Sequence, residues 1–171
     1  VATLESCADA VSDLARHRLM AMVEPFISHR SDGRVRNELT ADAMVRAMLA
    51  VLEPGRLETQ VAAWAYFVAK ELGSEENGWD VMVGANTANR TLIGKALNRP
   101  IQRGDYVHLG VAPKRDGLNS CLRRSVVAVD DPSQVTQDQR FWFGFVEEAY
   151  AVGLAALKDV AAHARPAYLQ E

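Results

Sequence analysis

Four polar side chains near the middle of the chain carry the groups best suited to chemistry. They are His108, Asn119, Cys121 and Arg123. A thiolate beside an imidazole can act as a nucleophile if the two lie within hydrogen-bond reach and a third group orients the imidazole. A guanidinium presents fixed donors that suit a carboxylate or a phosphate. The residues therefore indicate either catalysis by His108, Cys121 and Arg123 or the binding of a small anionic ligand by Asn119 and Arg123.

A predicted β-hairpin positions these four residues. The apolar runs Tyr106–Ala112 and Leu118–Val129 flank Pro113–Gly117, a segment rich in turn-forming residues. Two extended runs joined by a short turn pair in antiparallel fashion. We therefore expect antiparallel sheet in the middle of the chain.

The faces of the hairpin follow from the alternation of side chains along a strand. His108 shares a face with Gly110 on the first strand. On the second strand one face carries Asn119, Cys121 and Arg123. These residues can surround one cleft. The alternative is that His108 and Cys121 are ordinary sheet residues and that Arg123 is solvated or ion-paired.

Helical patterns precede and follow the hairpin. Apolar positions in steps of three and four predict helices over residues 4–26, from an N-cap at Thr40 to Leu52, and over Glu58–Leu72. A buried strand is expected at Trp79–Val83, and a long helix from about Thr136 to Ala164. The predicted fold class is α+β, with helices packed on a twisted antiparallel sheet.

Length and composition limit the function classes. A chain of 171 residues is expected to form a single compact unit. Within it we expect an N-terminal helix and loop over residues 1–39, followed by a domain over residues 40–171. The net charge of −3 argues against binding to a nucleic acid backbone. No apolar stretch approaches the ~18 residues that span a bilayer, so we expect a cytoplasmic protein without a membrane partner. Of the 19 basic residues 15 are arginine, a bias that indicates a bacterial genome.

The two cysteines, Cys7 and Cys121, match no Cys-x-x-Cys spacing. A disulfide framework or a structural zinc site therefore has little support, and both are expected to be free thiols.

Three motifs resemble segments of the creatinase, aminopeptidase P, prolidase and methionine aminopeptidase superfamily, which has the pita-bread fold. Glu53–Glu58 is similar to its Pro-Gly-x-Thr-Glu turn, and Val83–Ala88 to its Ser-Gly-x-Asn segment. Ile101–Val107 and Leu118–Ser125 resemble its Gly-Asp-x-Val-x-x-Asp and Gly-Tyr-x-Ser-Asp-x-Thr-Arg-Thr strands at matching spacing. The resemblance runs over residues 40–158 and implies about the first half of that fold.

The resemblance also implies a metal site and shows that its ligands are missing. Enzymes of the superfamily hold two metal ions with two aspartates of this hairpin, together with a histidine and two glutamates from the second half of the fold. The aspartate positions fall on Gly110 and Cys121, and a substrate-side histidine falls near Thr91. One thiolate opposite a glycine leaves too few donors for zinc. We therefore expect no metal and no cofactor.

Three functions stay open at this stage. The first is a catalytically degenerate, metal-free pita-bread-like domain that binds a ligand or a protein partner in the emptied cleft. The second is a metal-independent enzyme of specialised metabolism that uses the same cleft. The third is a metal-dependent Xaa-Pro peptidase or amidohydrolase completed by another chain or by a missing segment.

A partner chain is expected. Half of a pita-bread fold leaves a sheet edge and apolar surface that the other half covers. Aromatic residues at positions 141, 142, 143 and 145 exceed what one buried helix face holds, so they pack in the core or in part contact a partner chain. We therefore expect a homodimer, or a heteromeric partner that supplies the second half.

Overall fold

The computed structural model describes residues 33–86 and 94–163. The predicted helix over residues 4–26, Cys7 and the position near Thr91 lie outside these ranges. The chain divides into two compact units, Val1–Asp130 and Asp131–Glu171.

Two helices open the described part of the first unit, α1 over Gly33–Val51 and α2 over Glu58–Glu71. The expected start of α1 at Thr40 is wrong, because Thr40 is buried inside the helix. A long-range contact fixes the early turns instead: the side-chain amide of Asn37 donates to the carbonyl of Leu118 at 2.8 Å. Helix α1 also runs across the predicted boundary between residues 39 and 40. The bounds of α2 confirm the third predicted helix.

The predicted hairpin is confirmed, with each of its arms divided between two sheets. The six strands are β1 Glu76–Asn77, β2 Met82–Ala85, β3 Tyr106–Val111, β4 Pro113–Arg115, β5 Leu118–Asn119 and β6 Leu122–Val127. One antiparallel sheet has the order β2-β3-β6, and the other has the order β1-β4-β5. Asp116 and Gly117 turn the chain with positive φ angles of 50° and 77°, as tight hairpin turns require.

The core lies between the two helices and one face of the β2-β3-β6 sheet. Helices α1 and α2 pack on each other, α1 also packs on β3, and α2 packs on β2. The largest fully buried apolar side chains of this layer are Met44, Met48, Val61, Val68, Val83, Ile101, Val107, Leu109 and Val111. Because strand residues alternate, the opposite face of the sheet carries the other half of the strand residues.

The second unit contains a short 3-10 helix, Pro132–Gln134, and the long helix α3, Gln137–His163. A capping box starts α3: the hydroxyl of Thr136 accepts from the amide of Gln139, whose side-chain oxygen accepts from the amide of Thr136. The bounds of α3 confirm the long C-terminal helix. Of the helices in the described ranges, none has the length and the apolar character needed to cross a membrane.

Candidate functional site

Two cross-strand rows of residues lie on the face of the β2-β3-β6 sheet opposite the helices. The pairing of β2 with β3 and of β3 with β6 sets them side by side. The first row is Met82, Gly110 and Arg123, and the second is Gly84, His108 and Ser125. His108, Gly110 and Arg123 therefore lie on one face of the sheet, as the alternation along the strands predicts.

In the first row, the superfamily pattern places an aspartate at position 110. This chain has a glycine there, and its cross-strand neighbour is Met82. Gly110 is buried, and so is Met82, which is 4% exposed. A Cβ atom added at Gly110 lies only 3.1 Å from the sulfur of Met82 and 3.3 Å from its Cβ. Contacts of this length require the neighbour to shift by a few tenths of an ångström. The Met82 side chain therefore borders the space that a side chain at position 110 would enter.

The second row joins His108 to a residue that the sequence analysis missed. The Nδ1 atom of His108 lies 2.7 Å from the Oγ atom of Ser125, and both residues are exposed. This hydrogen bond exists for either tautomer, because a hydroxyl both donates and accepts. The structure thus gives His108 a serine as its neighbour.

Cys121 is not brought to His108. The cysteine is an exposed free thiol directly before β6. Since Val111 pairs with Leu122, continuing this register puts Cys121 opposite Ala112. Four residues of strand, about 13 Å, separate Ala112 from His108. A direct Cys121–His108 hydrogen bond does not fit this register.

Asn119 and Arg123, the two predicted ligand-binding residues, lie against one segment, Asn77–Trp79. The Cζ atom of Arg123 lies 5.6 Å from the ring centroid of Trp79, which is a cation–π contact. The side chain of Asn119 packs on Gly78, where an added Cβ atom lies 3.0 Å from its Oδ1 atom. Nothing in the amino-acid sequence indicates this convergence, because it depends on how the two sheets pack against each other.

The same segment forms a wall of a pocket with a volume of about 540 Å³. The pocket is lined by Tyr66, Lys70, Glu76, Asn77, Trp79, Asp80, Met82 and Lys95. Two of these, Trp79 and Met82, also contact the sheet face: Trp79 stacks with Arg123, and Met82 covers Gly110. The pocket is therefore continuous with the rows described above.

Ion pairs set the charge of the pocket's rim. Lys95 forms a salt bridge with Asp80, and its hydrogen bond lowers the pKa of that carboxyl group while the pKa of Lys95 rises. The hydrogen bond from Lys114 lowers the pKa of Glu76 in the same way. The hydroxyl of Tyr66 accepts from the amide of Val81 at 2.9 Å. Both rim carboxylates are therefore held in the ionised form.

Two polar atoms of the pocket wall lack a partner. The Oδ1 atom of Asn77 and the Nε1 atom of Trp79 are buried, and neither makes a hydrogen bond. Most buried polar side-chain atoms in proteins are hydrogen-bonded, so a pair of exceptions in one segment is notable.

A buried carboxylate fixes the end of β2, the strand that carries Met82. Glu58 is 1% exposed and accepts from the amides of Ala85 at 3.0 Å and Leu97 at 2.9 Å. The guanidinium of Arg99 donates to Glu58 and to the carbonyl of Ala85. Glu58 is the last residue of the first motif. The sequence analysis missed its structural role, because the burial of a carboxylate cannot be read from the sequence.

The residues at the site do not fit the metal ions that the superfamily pattern implies. In residues 33–86 and 94–163, no three His, Cys, Asp or Glu side chains come close enough together to hold a metal ion. Gly110 offers no ligand atom, and the group next to it is the soft thioether of Met82. Hard divalent ions need oxygen ligands at such a position.

Family models and relatives match this chain over most of its length. Residues 34–169 match the family model described as metallopeptidase family M24. Residues 1–66 match a second model, described as Cgl0159-like. The Xaa-Pro dipeptidase of Pyrococcus horikoshii is 26% identical over 126 residues, which cover 74% of this chain and 33% of that protein. The uncharacterized peptidase YqhT of Bacillus subtilis is 29% identical over 118 residues, or 69% of this chain and 32% of that protein.

Solved structures show the same fold. The prolidase of Pyrococcus horikoshii superposes with a TM-score of 0.59 at 25% identity, over 64% of this chain and 30% of that one. The Xaa-Pro dipeptidase of Bacillus anthracis superposes with a TM-score of 0.60 at 22% identity, over 71% and 34%. The chain spans about a third of the length of these relatives.

Proposed function

The chain belongs to metallopeptidase family M24 and has the fold of about the first half of a pita bread, and we propose that it is a catalytically degenerate member. In this proposal the protein binds a ligand or a protein partner and does not hydrolyse peptides with metal ions. The proposed loss is of the reaction for which the Xaa-Pro dipeptidases among the relatives are named.

The contact between Met82 and Gly110 carries the proposal. Position 110 carries no carboxylate, and an aspartate there would have to displace the buried thioether of Met82 by a few tenths of an ångström. The second aspartate position holds Cys121, an exposed thiol without a nearby acidic or histidine cluster among the described residues. Loss of both positions removes from the hairpin the two carboxylates that would bind a hard cation.

A metal analysis together with a peptidase assay tests the proposal. The purified chain is incubated with Mn²⁺, Co²⁺ or Zn²⁺, desalted, and analysed for bound metal, and its hydrolysis of Xaa-Pro dipeptides is measured. The Xaa-Pro dipeptidase of Pyrococcus horikoshii serves as the positive control for both measurements. We expect substoichiometric metal and no hydrolysis. Stoichiometric metal with turnover contradicts the proposal and supports a metal-dependent peptidase or amidohydrolase.

The hydrogen bond between His108 and Ser125 favours a second candidate, a metal-independent enzyme that uses the same sheet face. Alanine substitutions at His108, Cys121 and Arg123 separate it from a binding domain. An enzyme loses turnover in these variants while the fold stays intact, whereas a binding domain changes only in affinity.

A further inference from the structure

We propose that the outer edge of strand β6, Leu122–Val127, is a docking site for an extended acidic segment of a partner protein. The segment adds a strand to the β2-β3-β6 sheet and presents two consecutive acidic residues to Arg123 and Arg124. The inference rests on the function proposed above, in which the chain binds a ligand or a protein partner, and it names the surface and the chemistry of that partner.

Strand β6 forms an accessible edge of its sheet. It pairs with β3 on one side, and no strand in the described ranges lies beyond it in the order β2-β3-β6. Three of its six residues are exposed and the other three are half-buried, whereas all four residues of β2, at the opposite edge, are buried. An accessible edge presents main-chain N–H and C=O groups with which another extended chain can pair.

The charged side chains of this sheet are all basic. Its three strands contain Arg123, Arg124 and His108 and no aspartate or glutamate, although the net charge of the whole chain is −3. In residues 33–86 and 94–163, no salt bridge includes Arg124. A strand that carries carboxylates therefore complements this edge, and such complementarity discriminates between partners.

The two arginines lie on opposite faces of the sheet. Arg123 pairs with Gly110 on the face opposite the helices, and its guanidinium contacts the Trp79 ring. Arg124 pairs with the core residue Leu109. Its Nη1 atom donates to the carbonyl of Arg123 at 2.7 Å, which holds the guanidinium beside the main chain of β6. Neighbouring residues of an incoming strand also point to opposite faces, so two consecutive acidic residues can reach both guanidinium groups.

A second copy of this chain does not suit the same edge. Pairing of two β6 strands edge to edge brings four guanidinium groups together, and like charges on neighbouring strands are destabilising. The two arginines thus protect the edge from pairing with itself, as charged residues on edge strands commonly do. The same charges favour a partner strand with acidic side chains.

NMR titration of the full chain with the peptide acetyl-Thr-Val-Glu-Glu-Val-Thr-amide tests the proposal. We expect saturable shifts of the main-chain amide resonances of Leu122–Val127, with one peptide bound per chain. The peptide with Gln-Gln in place of Glu-Glu should bind about tenfold more weakly, because it lacks both ion pairs. Acetyl-Thr-Pro-Glu-Glu-Pro-Thr-amide keeps both charges, but one of its prolines removes a main-chain N–H directed at β6. Its binding should weaken at least about fivefold.

Two matched charge reversals locate the site. Arg124→Glu places a carboxylate at the edge and should weaken the binding of the Glu-Glu peptide at least about tenfold, because attraction becomes repulsion. Arg46→Glu makes the same change on helix α1, where the Arg46 side chain is 58% exposed, and should leave the affinity unchanged. Circular dichroism of each variant establishes that it is folded, and the shifts in the unmodified chain decide if Arg124→Glu is not.

Four results overturn the inference: no saturable shifts in β6, equal binding of the glutamate and glutamine peptides, equal binding of the valine and proline peptides, or equal weakening by both charge reversals. A chain that binds no metal and hydrolyses no dipeptide, yet fails to bind the acidic peptide, overturns the assignment of the β6 edge alone. Metal-dependent turnover overturns the proposed function instead, so the two failures are distinguishable.

Discussion

The Met82 side chain covers Gly110, and this contact determines what a substitution at position 110 costs. Gly110→Asp introduces a Cβ atom about 3 Å from the Met82 sulfur, and a carboxylate into a buried site. We expect a loss of about 1–3 kcal/mol in the free energy of unfolding, the usual cost of overpacking a core. Urea denaturation monitored by circular dichroism measures it.

The double variant Gly110→Asp, Met82→Ala is the matched control for that prediction. Removing the thioether opens the space, so the aspartate should cost less in the Met82→Ala background than in the unmodified chain. A double-mutant cycle gives this coupling directly. If the aspartate costs the same in both backgrounds, Met82 does not occupy the required space.

The ion pair between Lys95 and Asp80 predicts a pH dependence. The hydrogen bond from Lys95 lowers the pKa of Asp80 below its ordinary value of 3.8. A carboxylate with a lowered pKa in the folded state stabilises the protein above pH 3.8, and this contribution is lost as the pH falls through the folded-state pKa. Lys95→Gln should therefore raise the pKa of Asp80 toward 3.8, as measured by NMR titration of the carboxyl carbon.

Lys114→Gln provides the comparison, because it breaks the equivalent pair with Glu76. It should raise the pKa of Glu76 toward 4.5 and leave the titration of Asp80 unchanged. Identical Asp80 titrations in the unmodified chain and in Lys95→Gln argue against the pair.

At the residue scale, sequence reasoning found the strand positions but not the contacts between them. Ser125 was within reach of prediction: with the turn centred on Asp116 and Gly117, strand pairing places Ser125 opposite His108. The role of Trp79 could not be predicted, because its contact with Arg123 joins segments that are far apart in the sequence. Alternation within one strand fixes a face, whereas tertiary packing decides which groups meet on it.

Glu58 connects three segments of the first unit, so its substitution should lower the free energy of unfolding. Its buried carboxylate holds the end of β2, the amide of Leu97 and the guanidinium of Arg99. Glu58→Ala leaves the amides of Ala85 and Leu97 without their acceptor and removes the partner of Arg99, whose side chain is 34% exposed. We expect a loss of about 2–5 kcal/mol in the free energy of unfolding, because each unsatisfied buried donor costs about 1–3 kcal/mol. Urea denaturation measures this loss.

An exposed ion pair in the same turn supplies the control. Glu53 pairs with Arg56 at 2.7 Å, and the glutamate side chain is 62% exposed. Glu53→Ala should change the free energy of unfolding by less than about 1 kcal/mol, because exposed pairs contribute little. Equal effects of the two substitutions would mean that Glu58 is not the connecting residue.

Elements with strong apolar periodicity were predicted correctly from the sequence. The residues at which some elements begin and end were predicted less accurately. Helices α2 and α3 and the hairpin agree with the sequence pattern. The start of α1 was misplaced because residues 34–38 are mostly polar, and the hydrogen bond of Asn37 to the hairpin is a tertiary contact that periodicity does not reveal. The expected strand at Trp79–Val83 begins instead at Met82 and ends at Ala85.

At the scale of the whole molecule, the order of three motifs predicted the fold before any single motif could. Each was short, but Glu53–Glu58, Val83–Ala88 and the hairpin follow one another at the family's spacing. The match of residues 34–169 to family M24 confirms that interpretation. This match gives the fold but not the function, because the chemistry depends on the side chains at a few positions.

Helix α3 carries many exposed apolar side chains. Its large apolar side chains are exposed on several sides, among them Phe141, Trp142, Phe145, Tyr150 and Leu157. An apolar surface of this kind is typical of an interface with another chain. We propose that a second copy covers it, and light scattering during size-exclusion chromatography should give about twice the 18.8 kDa of one chain.

Two substitutions of equally exposed side chains test this association. Phe145 is 56% exposed on α3, and Leu118 is 55% exposed on the hairpin. Phe145→Asp places a charge in the proposed interface and should shift the mass toward that of a single chain, because burying an unpaired carboxylate is costly. Leu118→Asp adds the same charge elsewhere and should leave the dimer intact. A single-chain mass at every concentration, or equal dissociation by both variants, would show that α3 is not the contact between copies.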